Sequence, residues 1–181
     1  MMPLKQIQTV AVHHYDNGIT TVDTETIDET PINRSQLESD IVRYVINRES
    51  FDISSYRSQF ELVHLLSGRD VINEYEKEQK SSNQESPLNS LGTRYTRRVH
   101  VYSINFIDSK ELNKKETKRQ QNHGDVAEVV FSVADYDKQT GRELEKQYNA
   151  LLSWRYLKPS SNIKERWQNF DGFEVTRYTK V

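Results

Sequence analysis

Cysteine is absent from this chain of 181 residues, which excludes disulfides, thiol catalysis and zinc sites built on thiolates. No apolar run reaches the roughly 18 residues that a membrane-spanning helix needs, and no signal peptide opens the chain. Charge of one sign is not in excess: 25 Lys and Arg stand against 27 Asp and Glu, a net −2. That balance gives no concentrated basic surface of the kind nucleic acid selects. A phosphate-binding glycine loop, a serine elbow, a metal-binding His-Glu helix and a dinucleotide fingerprint are all missing. His13 and His14 are adjacent, and neighbours in a strand point to opposite faces, so they do not make a metal pair. No cofactor, no metal site and no nucleic-acid partner are expected.

What is present describes a polar domain with a real core. Aliphatic and aromatic residues make up 34% of the chain and charged residues 29%. Ten Tyr, six Phe and two Trp argue against disorder, because disordered chains are poor in aromatics. The length fits one domain and does not ask for two.

Residues 6–15 read as extended, and Asp16-Asn17-Gly18 supplies turn residues before a second short strand from Thr20 to Thr26. Either a hairpin or a loose ribbon fits. Ser35-Gln36-Leu37-Glu38 is a capping box, and the helix it opens carries Leu37, Ile41, Tyr44, Val45 and Arg48 on one side. Asp52 or Ser54 is expected to cap a second helix with Tyr56, Phe60 and Val63 inward. Ser67-Gly68 breaks it, and a third helix runs through Val71, Ile72 and Tyr75. The polar stretch Lys80 to Asn89, with Pro87, reads as a loop.

The remainder is β. Thr93 to Ile107 alternates, with Tyr102, Ile104 and Phe106 on one face; His100 shares their parity and is expected to point inward. The charged stretch Asp108 to Gly124 reads as an exposed, mobile connector; its Lys114-Lys115 and Lys118-Arg119 run is offset by acidic neighbours. Val126 to Tyr136 is a strand with Val129, Phe131 and Val133 on one face, and Asp137 to Gly141 is a turn. In Leu144 to Tyr156, the residues Leu144, Tyr148, Ala150, Leu152, Trp154 and Tyr156 share the buried face. A polar connector leads to the last strand. Helices followed by antiparallel strands is an α+β order.

Several residues stand out chemically. Arg48 lies on the inward side of the first helix, so it needs acceptors, with Glu49, Asp52 and the sheet as the candidates. Val42 and Ile46 form a second apolar stripe outside the main one, covered either by a neighbouring element or by another subunit; Glu38, Arg43 and Asn47 rim it. His64 reads as a satisfied core histidine. An enzymatic reading would rest on His100, Tyr102 and Asp135 facing a pocket.

Two segments carry a resemblance: Tyr44-Val45-Ile46-Asn47-Arg48-Glu49-Ser50-Phe51-Asp52 and Asn169-Phe170-Asp171-Gly172-Phe173, which leads into the closing strand through Tyr178. With these, residues 3–180 resemble the periplasmic domain of the eighth VirB component, a bitopic inner-membrane protein of bacterial type IV secretion systems. The motif positions are Tyr44, Val45, Arg48, Glu49, Phe51, Asp52, Asn169, Phe170, Gly172 and Phe173. One departs from the family's Asn-Pro-x-Gly, since Phe170 stands where Pro is usual.

The resemblance implies a nuclear-transport-factor-two-like cone, about three helices packed on a curved antiparallel sheet of about four strands. It implies that residues 1–30 lead in from a membrane anchor upstream, with Met1-Met2 an added start, and that 31–181 form one periplasmic domain. It further implies an assembly role without catalysis, contacts with other secretion components, and a weak homodimer through the first helix at Glu38, Val42, Arg43 and Ile46. The alternative is a small-ligand-binding or isomerase-like domain on the same cone.

Overall fold

The computed structural model describes residues 34–107 and 126–181, together with the backbone of 11–14 and 20–23. Two compact units are present, 1–37 and 38–181. In the first, β1 (Ala11–His14) pairs antiparallel with β2 (Thr20–Asp23), Ala11 opposite Asp23 and His14 opposite Thr20. The pairing makes this segment a hairpin rather than a loose ribbon. The expected turn at Asp16-Asn17-Gly18, the His13 and His14 side chains and the connector 108–124 lie outside the described residues.

The helical layer comprises α1 (Arg34–Glu49), α2 (Tyr56–Leu65), α3 (Arg69–Gln79) and a short α4 (Pro87–Ser90). In α1 the stripe Ile41, Tyr44, Val45 and Arg48 is buried, as the 3.6-residue period requires. The helix already includes Arg34, so Ser35 sits inside its first turn and not at the N-cap. Asp52 does not cap α2 directly either; it folds an Asx turn, accepting from the Ser54 amide at 2.9 Å. Pro87 opens α4 where a loop was expected, because proline's fixed φ suits the first helical position.

Four strands follow in meander order: β3 (Tyr95–Ile107), β4 (Val126–Asp137), β5 (Glu143–Tyr156) and β6 (Phe173–Lys180), all antiparallel. Between β5 and β6, where the sequence predicts only a polar connector, lies a helix, α5 (Ile163–Gln168). Its N-cap is Asn162, whose side chain accepts from the Lys164 amide at 3.0 Å.

Two bulges set which side chains reach the core. Val101 pairs with Phe131 and Ser103 with Val130, so Tyr102 is the extra residue on β3. The parity of β3 flips there. His100 and Tyr102, expected inward, are exposed, while Ile104 and Phe106 are partly covered. A second irregularity opposite Ser153 and Trp154 lets both Val175 and Tyr178 of β6 turn inward.

Trp154 is 4% exposed and meets Phe106 edge-on, ring centroids 5.8 Å apart. Leu144, expected inside, is exposed along with its neighbours through Gln147; alternation there continues into a hairpin arm beyond the core. Phe51, Val63, Leu66, Val129, Phe131, Leu152, Phe173 and Val175 are fully covered, each worth about 1.5–3 kcal/mol of burial.

Segments between helices clamp both edges of the sheet. Phe51 exchanges two backbone hydrogen bonds with Arg97 on β3, at 3.0 and 2.8 Å. At the other edge the Val175 amide donates to Leu66 and the Gly68 amide donates to Val175, both at 2.8 Å. A Cβ on Gly68 would stand 3.2 Å from the Glu174 carboxylate and 3.3 Å from the Val175 carbonyl, so the α2–α3 elbow packs closely on β6.

Candidate interaction surfaces

The Arg48-Glu49-x-Phe51-Asp52 motif is built at the end of α1, where one helix terminus must be joined to the sheet. The Arg48 side chain is 3% exposed. Its Nη2 donates to both carboxylate oxygens of Glu78 on α3, at 3.2 and 3.0 Å. The guanidinium lies over the rings of Tyr178 and Tyr75, 4.3 and 4.9 Å from their centroids. Glu49 turns the other way: it accepts from the Tyr178 hydroxyl at 2.8 Å and from Lys180 at 2.7 Å.

Burial opposes the Arg48 charge, yet Tyr44, Glu78, Tyr178 and Glu49 together keep its pKa above the ordinary arginine value. Burial and the adjacent Glu49 carboxylate push the Tyr178 phenol well up. Burial also raises Glu78, with Arg48 pulling against it.

Of the partners foreseen for Arg48, Glu49 lies nearby at 3.9 Å and Asp52 is engaged elsewhere. Asp52 accepts from the Thr96 hydroxyl at 3.1 Å and faces Lys138 at 3.6 Å. The bonds from Ser54 hold its pKa down at about 2. Phe51 is buried between the two charged groups' elements, its ring 5.7 Å from that of Tyr56. The motif therefore joins α1 to α3, β3 and β6. Tyr44 completes the joint through a 3.0 Å hydrogen bond shared with Ser67. Sequence pattern could not nominate Glu78, Tyr178 or Lys180 as its partners, since only the fold brings them together.

The second motif shapes the entry to β6. Gly172 has φ +76°, and a Cβ there would lie 1.8 Å from the Leu157 carbonyl oxygen. Its own carbonyl accepts from the Leu157 amide at 2.8 Å. The Asn169 amide group donates to the Phe173 carbonyl at 2.9 Å, and Asp171 accepts from the Phe173 amide at 3.1 Å. Phe173 is buried; Phe170 is 57% exposed. The turn thus holds its shape without proline at position 170, and it displays a phenyl ring outward.

On α1, Ile46 is 36% exposed while Val42, Arg43, Asn47 and Glu38 are half-buried. Arg43 reaches Asp40 at 3.6 Å, and Asp40 itself is buried. No element of the described residues fully closes the Val42/Ile46 stripe.

The constellation His100, Tyr102 and Asp135 is not assembled. Asp135 alternates with Phe131 and Val133 on the core face of β4 and binds Arg97 through two bonds of 2.6 and 2.8 Å. It lines an open cleft of about 740 Å3 with Arg94, Asp137 and Arg142. His100 lies opposite Ser132 on the other face. There the Tyr102 hydroxyl donates to the Glu145 carboxylate at 3.0 Å and shares a 3.1 Å hydrogen bond with the Ser132 hydroxyl. His64 is satisfied by Glu76 at 2.8 Å, though it is a partly exposed pair and not a core group. Among the described residues no group of three or more His, Cys, Asp and Glu is placed to hold a metal.

The profile of the VirB8 protein family matches residues 1–180. The type IV secretion system protein virB8 of Bartonella quintana (strain Toulouse) is 26% identical over 183 residues, spanning 98% of this chain and 70% of the relative. Among solved structures, the Agrobacterium tumefaciens VirB8 protein superposes with a TM-score of 0.67 at 18% identity, over 83% of this chain and 94% of that one. The TrwG component of the type IV secretion system from Bartonella birtlesii gives 0.66 at 22% identity, over 83% and 92%. These two likenesses establish the fold, helices on a four-stranded antiparallel sheet in the nuclear-transport-factor-two-like manner. The family match over residues 1–180 identifies the chain as a member of the VirB8 family and a component of a type IV secretion system.

Proposed function

We propose that this protein is a non-enzymatic assembly subunit at the periplasmic face of the inner membrane. In this reading residues 31–181 are one periplasmic domain and residues 1–30 lead in from a membrane anchor. The domain pairs weakly with a second copy through α1 and holds another secretion component at Asn169–Phe173. The observation that carries the reading is Phe170. A phenyl ring 57% exposed on a turn held by Gly172, Asn169 and Asp171 adds little to folding, and loops positioned by a rigid sheet commonly carry recognition.

Support for the dimer is the Val42/Ile46 stripe, with Glu38 and Arg43 beside it. A single short helix face stays below the roughly 1,200 Å2 of a standard interface, so the pairing is weak.

Replacing the gene in its own host with the full-length Phe170→Ala allele tests this. Substrate transfer should fall sharply while the purified domain keeps its melting temperature. A large drop in melting temperature, with normal transfer by the protein that still folds, would make Phe170 a structural plug and overturn the assignment.

A further inference from the structure

The connector from β5 to β6 carries a second, chemically different surface. Ile163 and Trp167 stand four residues apart on α5, hence on one face of its single turn and a half. Trp167 is 74% exposed, and Ile163 and Leu157 are also open to solvent. A tryptophan this exposed, one helical turn from an exposed isoleucine, adds little to folding.

The charges that flank this face of α5 are cationic. Lys158, Lys164 and Arg166 are exposed, and no carboxylate among the described residues pairs with them. Glu165, the acidic residue of α5, lies on the side of the helix opposite Ile163 and Trp167. Glu165 accepts from the Ser160 hydroxyl at 2.6 Å and from Asn162 at 3.4 Å, and Asp171 accepts from the Phe173 amide. Glu174, next along the chain, is bound to Arg155 at 2.6 Å.

We propose that α5 and its flanks, Leu157, Lys158, Ile163, Lys164, Arg166 and Trp167, dock onto an anionic lipid surface. An indole beside an exposed isoleucine suits the boundary between headgroups and acyl chains. Free Lys and Arg at its margin are attracted to anionic headgroups, each worth about fivefold in partitioning. The contact is separate from that assigned to Phe170, which belongs to the turn after α5.

The chain provides its own reporter, because Trp154 is buried at 4% exposure and only Trp167 can sense a bilayer. The test mixes the whole chain with vesicles of phosphatidylcholine alone and of phosphatidylcholine with phosphatidylglycerol. Cosedimentation with the mixed vesicles, a blue shift of tryptophan emission and weakening at high salt are expected, with little binding to phosphatidylcholine alone. Trp167→Phe should abolish the blue shift, and Trp167→Ala should weaken binding about tenfold. Lys158→Gln, Lys164→Gln and Arg166→Gln together should weaken it roughly a hundredfold, with an unchanged circular dichroism spectrum. The proposal is overturned if the wild type stays in the supernatant, if the shift survives Trp167→Phe, or if the triple variant binds as tightly as the wild type. An emission shift produced by another secretion component and not by vesicles would make this a protein contact, and would equally overturn it.

Discussion

Arg48→Ala removes a side chain that ties α1 to both α3 and β6, and its cost can be worked from the geometry. Two bonds to Glu78 at 3.2 and 3.0 Å are lost. A bond to a charged group is worth about 1.5–3 kcal/mol, but the Glu78 side chain is 56% exposed and regains water, which cuts the share to about 1 kcal/mol. The stacking on Tyr178 and Tyr75 is desolvated and contributes about 2 kcal/mol. Truncating the buried stem leaves a gap costing about 1 kcal/mol more.

The total is about 4 kcal/mol. At about 2–4 °C per kcal/mol for a chain of this size, the melting temperature should fall by roughly 10 °C. Glu78→Ala should cost less, about 1–2 kcal/mol. It leaves Arg48 with the Tyr44 hydroxyl at 3.5 Å, Glu49 at 3.9 Å and both rings. Urea denaturation of the two variants side by side checks the asymmetry. Equal losses, or a cost for Arg48→Ala below about 1 kcal/mol, would refute the reasoning.

Val42→Asp with Ile46→Asp should leave a folded protein that sediments as a monomer at concentrations where the parent self-associates; identical concentration-dependent masses in the ultracentrifuge would remove α1 as the interface. Gly172→Ala should prevent stable folding, because the added methyl meets the Leu157 carbonyl at 1.8 Å and the backbone is at φ +76°; a circular dichroism melt like the wild type's would contradict the turn geometry. The lowered Asp52 pKa has a definite sign. The folded state favours the carboxylate, so its stabilisation is complete above the ordinary 3.8 and is lost as pH falls toward about 2. Asp52→Asn should therefore flatten the acid limb of a stability-versus-pH curve, and an unchanged limb would show that the Ser54 bonds do not hold in solution.

Much of the core was legible because periodicity reports local geometry. The stripe Ile41, Tyr44, Val45 and Arg48 follows from 3.6 residues per turn, and Val129, Phe131 and Val133 follow from strict alternation. The β3 strand misled for a physical reason: Val101-Tyr102-Ser103-Ile104 reads acceptably in either parity, and only the partner strand decides that Tyr102 is the extra residue. Helix α5 was missed since six residues after Pro159 are too few for a periodic signal, although Asn162 before Ile163-x-x-x-Trp167 was a usable start mark. At the motif, the need of Arg48 for an acceptor could be read from its position on the helix. The identity of that acceptor could not, because Glu78 lies on another helix and its choice depends on how α1 and α3 cross the sheet.

The turn at Asn169–Phe173 is proposed to meet another secretion component. A photoreactive phenylalanine analogue placed at position 170 of the full-length protein in its host tests it most directly, with the same analogue at Arg57, an exposed α2 position, as control. Irradiation should yield an adduct at position 170, identified by mass spectrometry as a component of the same secretion system, and none at position 57. A protein that supports transfer yet yields no such adduct at position 170, or yields equal adducts at both positions, would contradict the account.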